Sequence, residues 1–534
     1  MPLEPYDLSD ASGRVVGKVL SHQARQRGER VWLVSDDRRV TFAEADALVN
    51  RIARGLRSLG VVPGEPVTML VEPSIDAVLL SMAITRLGGF FITISTDFHG
   101  AFLEDALRSS AGCLLIVDAA YVERVAALGQ IDPVAAWVIN GAADPAFPGA
   151  SALGDLLAFP ADPVDEGATW QDTVQVWWSS GTTGKPKGVM HSHSSVLLQA
   201  TGYDREYEED EVLYSCTPFY LGSPWSGTIW TSLVFGVTAA IDTRFSVSGF
   251  WDRVRLYEAT QAYTLGAMHM LLWKQPPDPQ DRDHRLRRFV AIPMPAELIP
   301  EFKARFNIAS MSQGYGTSET FRIFDAPDSE LEGAGARLGR PVAHYDVALL
   351  GENDLPVAEG EVGEVCVRPH DPGRLFLGYF GEPGRTVESW RSLWHHTGDM
   401  ARKTEDGVFH FADRKKDYIR LKGRNLSMFE VEAIIEAHPA VAEVAAFGVT
   451  SELLDTEAEL MVCIVRKPGC DVTAEDIARH VNRNAPYYFV PRFLDFVPEL
   501  ARNAHGRTPK EALRARGVTA GTWDREKVGF RVER

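Results

Sequence analysis

The stretch TVQVWWSSGTTGKPKG, residues 173–188, opens as a strand of β-branched and aromatic residues and breaks at Ser179 into a loop. Residues 179–188 hold three glycines, two threonines, two serines and two lysines. Glycine lets a backbone approach a ligand closely, while hydroxyls and free N–H groups donate to phosphate oxygens and lysine neutralises their charge. The composition is that of a loop that grips a triphosphate. It is not the GxxxxGK[ST] loop, because Pro186 stands where the metal-binding hydroxyl would be. A glycine/serine loop without a ligand is the plain alternative.

Outward from this loop, buried strands alternate with helical patterns. VTMLVE, FFITIST, CLLIVD and AWVIN, all between residues 67 and 140, read as buried strands, with helices between the first three. Residues 40–60 show helical spacing (Phe42, Ala47, Leu48, Ile52, Leu56, Leu59) and stop at Gly60. The alternation predicts doubly wound parallel α/β layers. Residues 141–165 read as a surface connection, and the polar run at 276–285 as another loop. Beyond Trp394 the texture changes to short strands, turns and a compact α+β tail, and the last sixteen residues read as a surface tail. The charged run ADRKKDY marks a junction, so the expected division is a large domain over 1–412, with a β-subdomain, and a small mobile one over 413–534.

The chain has 534 residues, a net charge of −18 and 45% hydrophobic residues, which excludes global disorder, collagen and coiled coil. An acidic chain has no general attraction for nucleic acid or anionic lipid. Five scattered cysteines without a CxxC argue against disulfide or zinc frameworks and for buried thiols in a cytosolic protein. The N-terminus lacks a basic start and an apolar run, and the apolar stretch AVLLSMAIT (77–85) is too short to span a bilayer. A cytoplasmic location and no membrane partner are expected.

In order along the chain, residues 179–188, GYGTSE (314–319), HTGDM (396–400), DRKKDYIRLKG (413–423) and NAHGRTPK (503–510) resemble the five motifs of the adenylate-forming (ANL) superfamily. That superfamily holds acyl- and aryl-CoA ligases, peptide-synthetase adenylation domains and luciferases. The likeness covers residues 40–514. It implies that Ser179, Ser180, Gly181, Thr182, Thr183, Gly184, Lys185 and Lys187 handle phosphates. It further implies Glu319 as the Mg2+ ligand, Tyr315 with Gly316 beside adenine, and Ser318 at the α-phosphate. Asp399 and Arg414 map to ribose contacts, Lys416 to the hinge and Gly423 to the pantetheine tunnel. ATP, Mg2+ and coenzyme A are the implied cofactors.

Three departures stand out. Asp413 replaces the usual glycine. In the last motif Gly506 aligns with the glycine, so Arg507 takes the place of the catalytic lysine that bridges the acyl carboxylate and α-phosphate; Lys510 falls on the second basic position. Arginine keeps the charge, but its planar fork is not equivalent to an ammonium. Either Arg507 performs the electrostatic role, or the first half-reaction is altered. Tyr220, in TPFYLGSPW (217–225), replaces a histidine beside the acyl site.

Gly314, Tyr220, Trp225, Trp230, Met268 and His269 are pocket candidates, the aromatics among them equally well read as core. His191 with His193, and His395 with His396, invite a metal reading that fails because neither pair has a third ligand at suitable spacing. Arg420, Lys422 and Arg424 suit coenzyme A phosphates or a solvated strand face. The segments LGAM, DRDHRLR and TWDRE look most like the carnitine/crotonobetaine-CoA-ligase-like branch.

The leading expectation is an ATP-dependent acid–CoA ligase acting on a small-molecule acid, free-standing because no carrier segment follows Leu513, and compatible with a homodimer. The alternative is a specialised adenylating enzyme with a non-CoA acceptor or an unusual acid: amide-forming, carrier-loading, or nitrite-activating like the diazotases. A weakened nucleotide-binding regulator is the third reading, supported by Arg507 alone.

Overall fold

The structure is a computed structural model. It describes residues 2–98, 100–110, 112, 114–131, 134, 136–141, 149–179, 187–202, 206–265, 268–292, 294–327, 337–414, 418–421, 424–450, 458–485, 489–502 and 508–532. The chain forms two compact units, the first comprising Met1–Ser179, Pro186–Asp346 and Arg368–Arg391, the second Ser180–Lys185, Val347–Val367 and Ser392–Arg534. The sequence junction at 412/413 falls inside the second unit.

The first unit carries two sheets. In one, the strands follow the order Gly378–Tyr379, Lys187–Ser192, Thr173–Ser179, Phe90–Thr93, Pro66–Leu70, Leu114–Asp118, Ala136–Asn140 and Ser151–Ala152. The run from Thr173–Ser179 to Ser151–Ala152 is parallel, as the four buried runs predict. In the other sheet, strands Ser310–Thr317, Arg288–Ile292, Gln261–Leu265, Val212–Ser215, Thr238–Ile241 and Val31–Ser35 are parallel neighbours. An antiparallel hairpin, Phe321–Pro327, adds to the first of these.

Helices fill the layer between the sheets. Phe42–Ser58 begins on a capping box in which Thr41 and Glu44 satisfy each other's backbone N–H groups. Ile75–Arg86 is buried on every side, which explains why its sequence is apolar all round rather than striped. One hydrophobic core joins residues from both sheets, among them Leu33, Val67, Phe91 and Ala239, to these helices.

One expectation for a surface segment is corrected. Within 141–165, Ser151–Ala152 pairs as an edge strand, and Leu156 of the following helix is 2% exposed. The 276–285 segment is a loop, as expected, with one 3-10 turn over Pro279–Arg282 whose Asp281 is buried and bonded to Arg305 at 2.7 Å.

In the second unit, Val362–Pro369, His395–Lys403 and Phe409–Arg414 form an antiparallel ladder. A separate sheet runs Val441–Thr450, Ala458–Arg466, Phe493–Phe496, Trp523–Asp524, packed by helices Met428–Glu436 and Ala474–Asn484. The C-terminal segment is therefore not a surface tail. Trp523 pairs with Leu494, Phe530 and Val532 pack on this core, and buried Arg492 sits among Glu459, Asp524 and Glu526 at 3.2–3.7 Å. Cys216, Cys366 and Cys463 are buried thiols outside any disulfide, whereas Cys470 is exposed, contrary to the expectation of burial; Cys113 lies outside the described residues. Among the described residues no helix is long and apolar enough to cross a membrane.

Candidate active site

Strand Thr173–Ser179 turns back antiparallel into Lys187–Ser192, with Ser179 opposite Lys187. The ladder therefore delivers both ends of the 180–186 connection to one spot. Ser180, Gly181, Thr182, Thr183, Gly184 and Lys185 themselves lie outside the described residues. Lys187 is the first described residue after them, and its Nζ lies 2.5 Å from Glu319 Oε1.

Glu319 arrives from the hairpin after Ser310–Thr317. This hairpin demands glycine at two places. A Cβ on Gly316 would lie 1.5 Å from the Phe321 carbonyl oxygen, and one on Gly314 would lie 2.6 Å from Arg322 Nε. Gly314 thus serves strand packing here. The turn is tied by Glu319 N–H donating to Thr317 Oγ1 at 3.3 Å and by Phe376 N–H donating to the Glu319 carbonyl at 3.1 Å. His191 donates from Nε2 to the Ser318 carbonyl at 2.8 Å. Burial pushes the His191 imidazole down to about 4, so it stays neutral and acts as a backbone clamp. His193 is likewise neutral, at about 4, and its Nδ1 accepts from Val16 N–H at 3.2 Å. Tyr315 is half-buried, 5.8 Å from the Phe324 ring.

A residue that sequence reasoning missed completes the cluster. The Tyr379 hydroxyl donates to Glu319 Oε1 at 2.9 Å and accepts from Lys187 Nζ at 3.0 Å. Burial and the adjacent carboxylate push the Tyr379 phenol far above its ordinary range, so it remains a donor. Nothing in a two-residue strand, Gly378–Tyr379, gives a periodic signal that could have found it.

The pocket candidates separate. Trp225 and Trp230 are fully buried and stacked 5.4 Å apart, with Trp225 Nε1 donating to the Phe219 carbonyl at 2.8 Å. Both belong to the hydrophobic core. His269 is buried with Nδ1 3.2 Å from Thr264 Oγ1, and Met268 is half-buried beside it. Tyr220 is half-buried and donates to Asp97 Oδ2 at 2.9 Å; burial, together with that carboxylate, pushes its phenol up to about 12.

In the second unit, Asp399 is 7% exposed on strand His395–Lys403, and its N–H donates to Thr397 Oγ1 at 3.2 Å. The turn before it is held by Glu364, which accepts from Gly398 N–H at 3.1 Å and from His396 Nδ1 at 2.9 Å. Cys366 Sγ lies 3.2 Å from the same nitrogen. A carboxylate and a thiol thus meet His396 across the ladder, where sequence spacing showed no third ligand. The separations are hydrogen-bond lengths, and the trio fixes the Thr397–Gly398 turn.

Arg414 pairs opposite Asp399 in backbone register. Lys510 starts helix Lys510–Arg516 and is bonded to Glu432 at 2.9 Å. Lys416, Lys422, Gly423 and Arg507 lie outside the described residues, as do the side chains of Arg414, Arg420 and Arg424.

Comparison with known proteins matches residues 20–380 to the AMP-binding enzyme family and residues 430–507 to the AMP-binding enzyme C-terminal domain. The chain is 26% identical over 493 residues to a crotonobetaine/carnitine–CoA ligase of Escherichia coli O7:K1 (strain IAI39 / ExPEC), covering 89% of this chain and 93% of that one. It superposes with a TM-score of 0.79 on ATP-bound MatB from Rhodopseudomonas palustris, at 22% identity over 94% of this chain and 98% of that one. It superposes with a TM-score of 0.77 on the amide bond synthetase McbA from Marinactinospora thermotolerans, at 23% identity over 94% of this chain and all of that one. The chain belongs to the AMP-binding enzyme family and, with it, to the adenylate-forming superfamily.

Proposed function

Starting from membership of the AMP-binding enzyme family, we propose that this chain is an ATP-dependent, AMP-forming ligase that activates a carboxylic acid as acyl-AMP and passes the acyl group to coenzyme A. The observation that carries the reading is the Lys187–Glu319–Tyr379 cluster at the exit of the phosphate loop. A carboxylate resists nucleophiles because of its negative charge. When its oxygen attacks the α-phosphorus of ATP, a P–O bond forms and the bond to pyrophosphate breaks. The resulting mixed anhydride carries AMP as a good leaving group, which the thiol of coenzyme A displaces at the carbonyl carbon.

Glu319 suits a magnesium ion: a buried carboxylate is a hard anionic oxygen ligand, and the Lys187 ammonium now 2.5 Å from its Oε1 marks it as a cation-holding group. Magnesium, when bound, supplies dispersal of the charge that develops on pyrophosphate. Lys187, Ser318 and the 179–185 loop hold phosphates, with Tyr315 and Gly316 at adenine and Asp399 with Arg414 at ribose. Tyr220, Met268 and His269 shape the acyl side, while Trp225 and Gly314 support it from the core and the hairpin. Arg507 neutralises the acyl carboxylate and α-phosphate. Functionally, 413–534 turns about Lys416 against 1–412, bringing Gly423 to the pantetheine arm. The enzyme works in the cytoplasm on small molecules, without nucleic acid or membrane.

Arg507 in place of lysine favours one second reading, a non-CoA acceptor such as an amine, or an unusual acid. Pyrophosphate release across a panel of acids, with and without coenzyme A, tests both. Release completed by coenzyme A supports the first; release indifferent to coenzyme A but completed by an amine supports the second. No release with any acid or with nitrite refutes both.

A further inference from the structure

The carboxylate assigned above to a metal is occupied by an ammonium. Lys187 Nζ sits 2.5 Å from Glu319 Oε1 with side chains only 16% and 6% exposed. The Tyr379 hydroxyl touches both groups, and the Tyr379 ring lies 4.6 Å from the same Nζ.

Backbone bonds fix this tyrosine with unusual redundancy. Leu377 N–H and Phe380 N–H donate to Met190 and Gly188, both at 2.8 Å, and Tyr379 N–H donates to Thr386 Oγ1 at 2.8 Å. Phe376 N–H holds the Glu319 carbonyl at 3.1 Å. Residues 376–380 therefore grip the strand that carries Lys187 and the turn that carries Glu319 at once.

The two cations that Glu319 can hold are not equivalent. An ammonium on a flexible stem has other anions to turn to, above all phosphates. A divalent ion needs a fixed oxygen ligand. The phenol's bond to Glu319 Oε1 is separate from the ammonium's, so it can hold the carboxylate in place after the lysine has gone. A phenol oxygen also accepts as well as donates, which lets one group serve both partners.

We propose that Tyr379 is a positioning residue that holds Glu319 for its divalent ion, and that Lys187 is a displaceable counter-cation that leaves Glu319 for the nucleotide's phosphates when that ion binds. This rests on the reading of Glu319 as a metal ligand. Mn2+ binding, followed by electron paramagnetic resonance on the full chain with and without a non-hydrolysable ATP analogue, tests it without turnover.

Tyr379→Phe is expected to weaken Mn2+ binding to the nucleotide complex roughly tenfold, the loss of one hydrogen bond to a charged group. Lys187→Met is expected to do the reverse in the absence of nucleotide, binding Mn2+ several-fold more tightly than the natural chain because the competing cation is gone. A structural defect would not produce opposite signs. Mn2+ affinity unchanged in Tyr379→Phe, or unchanged or weakened in nucleotide-free Lys187→Met, overturns the proposal while Glu319→Ala still loses Mn2+. Undiminished Mn2+ binding in Glu319→Ala instead removes the metal-ligand reading itself.

Discussion

Two buried ion pairs in the larger unit look alike and are built for different ends. Arg86 is 1% exposed, and five groups accept from it or pair with it: Asp46 at 2.8 Å, Asn50 at 2.8 Å, Ser21 at 3.1 Å, the Gly17 carbonyl at 3.3 Å and Glu166 at 3.2 Å. Helices Val16–Gln26 and Phe42–Ser58, with the segment carrying Glu166, all converge on one guanidinium. Lys187 has three N–H bonds and, among the described residues, two partners, Glu319 and Tyr379. The first arrangement uses a planar fork to join elements permanently; the second uses a point charge that a stronger cation can replace. On the reading proposed above, the difference separates a pair that holds the fold from a pair that waits for a ligand.

The sharpest way to break this comparison is to remove each cation. Arg86→Met leaves the half-buried Asp46 and Glu166 without their partner, and is expected to cost about 3 kcal/mol of stability, the low end for a buried pair because both carboxylates reach solvent. Chemical denaturation measures that cost, and ATP affinity of the folded fraction should not change. Loss of ATP binding at unchanged stability would contradict a purely structural Arg86.

The same cluster predicts a pH signature. Burial raises the Glu166 carboxyl from 4.5 to about 7, against the pull of Arg86. Between those values the folded chain keeps a proton that the unfolded chain has released. Stability from this group is therefore fully present below pH 4.5 and lost as pH rises through 7, by up to about 3 kcal/mol. Glu166→Gln should flatten that slope in denaturation curves taken across the window. An unaltered slope would mean that the carboxylate is ionised throughout.

A smaller effect tests the second unit. Glu364→Ala leaves the buried His396 Nδ1 and Gly398 N–H without their acceptor, at an expected cost of about 1–3 kcal/mol. The looser turn before Asp399 should raise the KM for ATP a few-fold, with kcat less affected. An unchanged KM would detach Glu364 from the ribose contact proposed for Asp399.

The parallel layers were legible because their signal is local, as is the motif that carries Glu319. Four apolar runs spell out four parallel strands, and Glu319 lies in a contiguous six-residue motif. Tyr379 was not legible, because its role arises from a two-residue strand meeting a ladder almost two hundred positions upstream. Glu364 escaped for the same reason: it reaches His396 through antiparallel register across 32 positions. The final segment was read as a tail because its strand is Trp523–Asp524 alone, yet it closes the edge of a sheet. Aromatic content near an expected pocket was ambiguous in sequence, and burial assigns Trp225 and Trp230 to the core.

The central claim is that the Lys187–Glu319 pair is a magnesium-dependent nucleotide site. Calorimetric titration of ATP into the natural chain and into Glu319→Ala, with and without Mg2+, addresses it most directly. The account predicts ATP binding that is strengthened by Mg2+ in the natural chain, with that strengthening gone in Glu319→Ala. Equal Mg2+ dependence in both chains, or no ATP binding at any magnesium concentration, would contradict it.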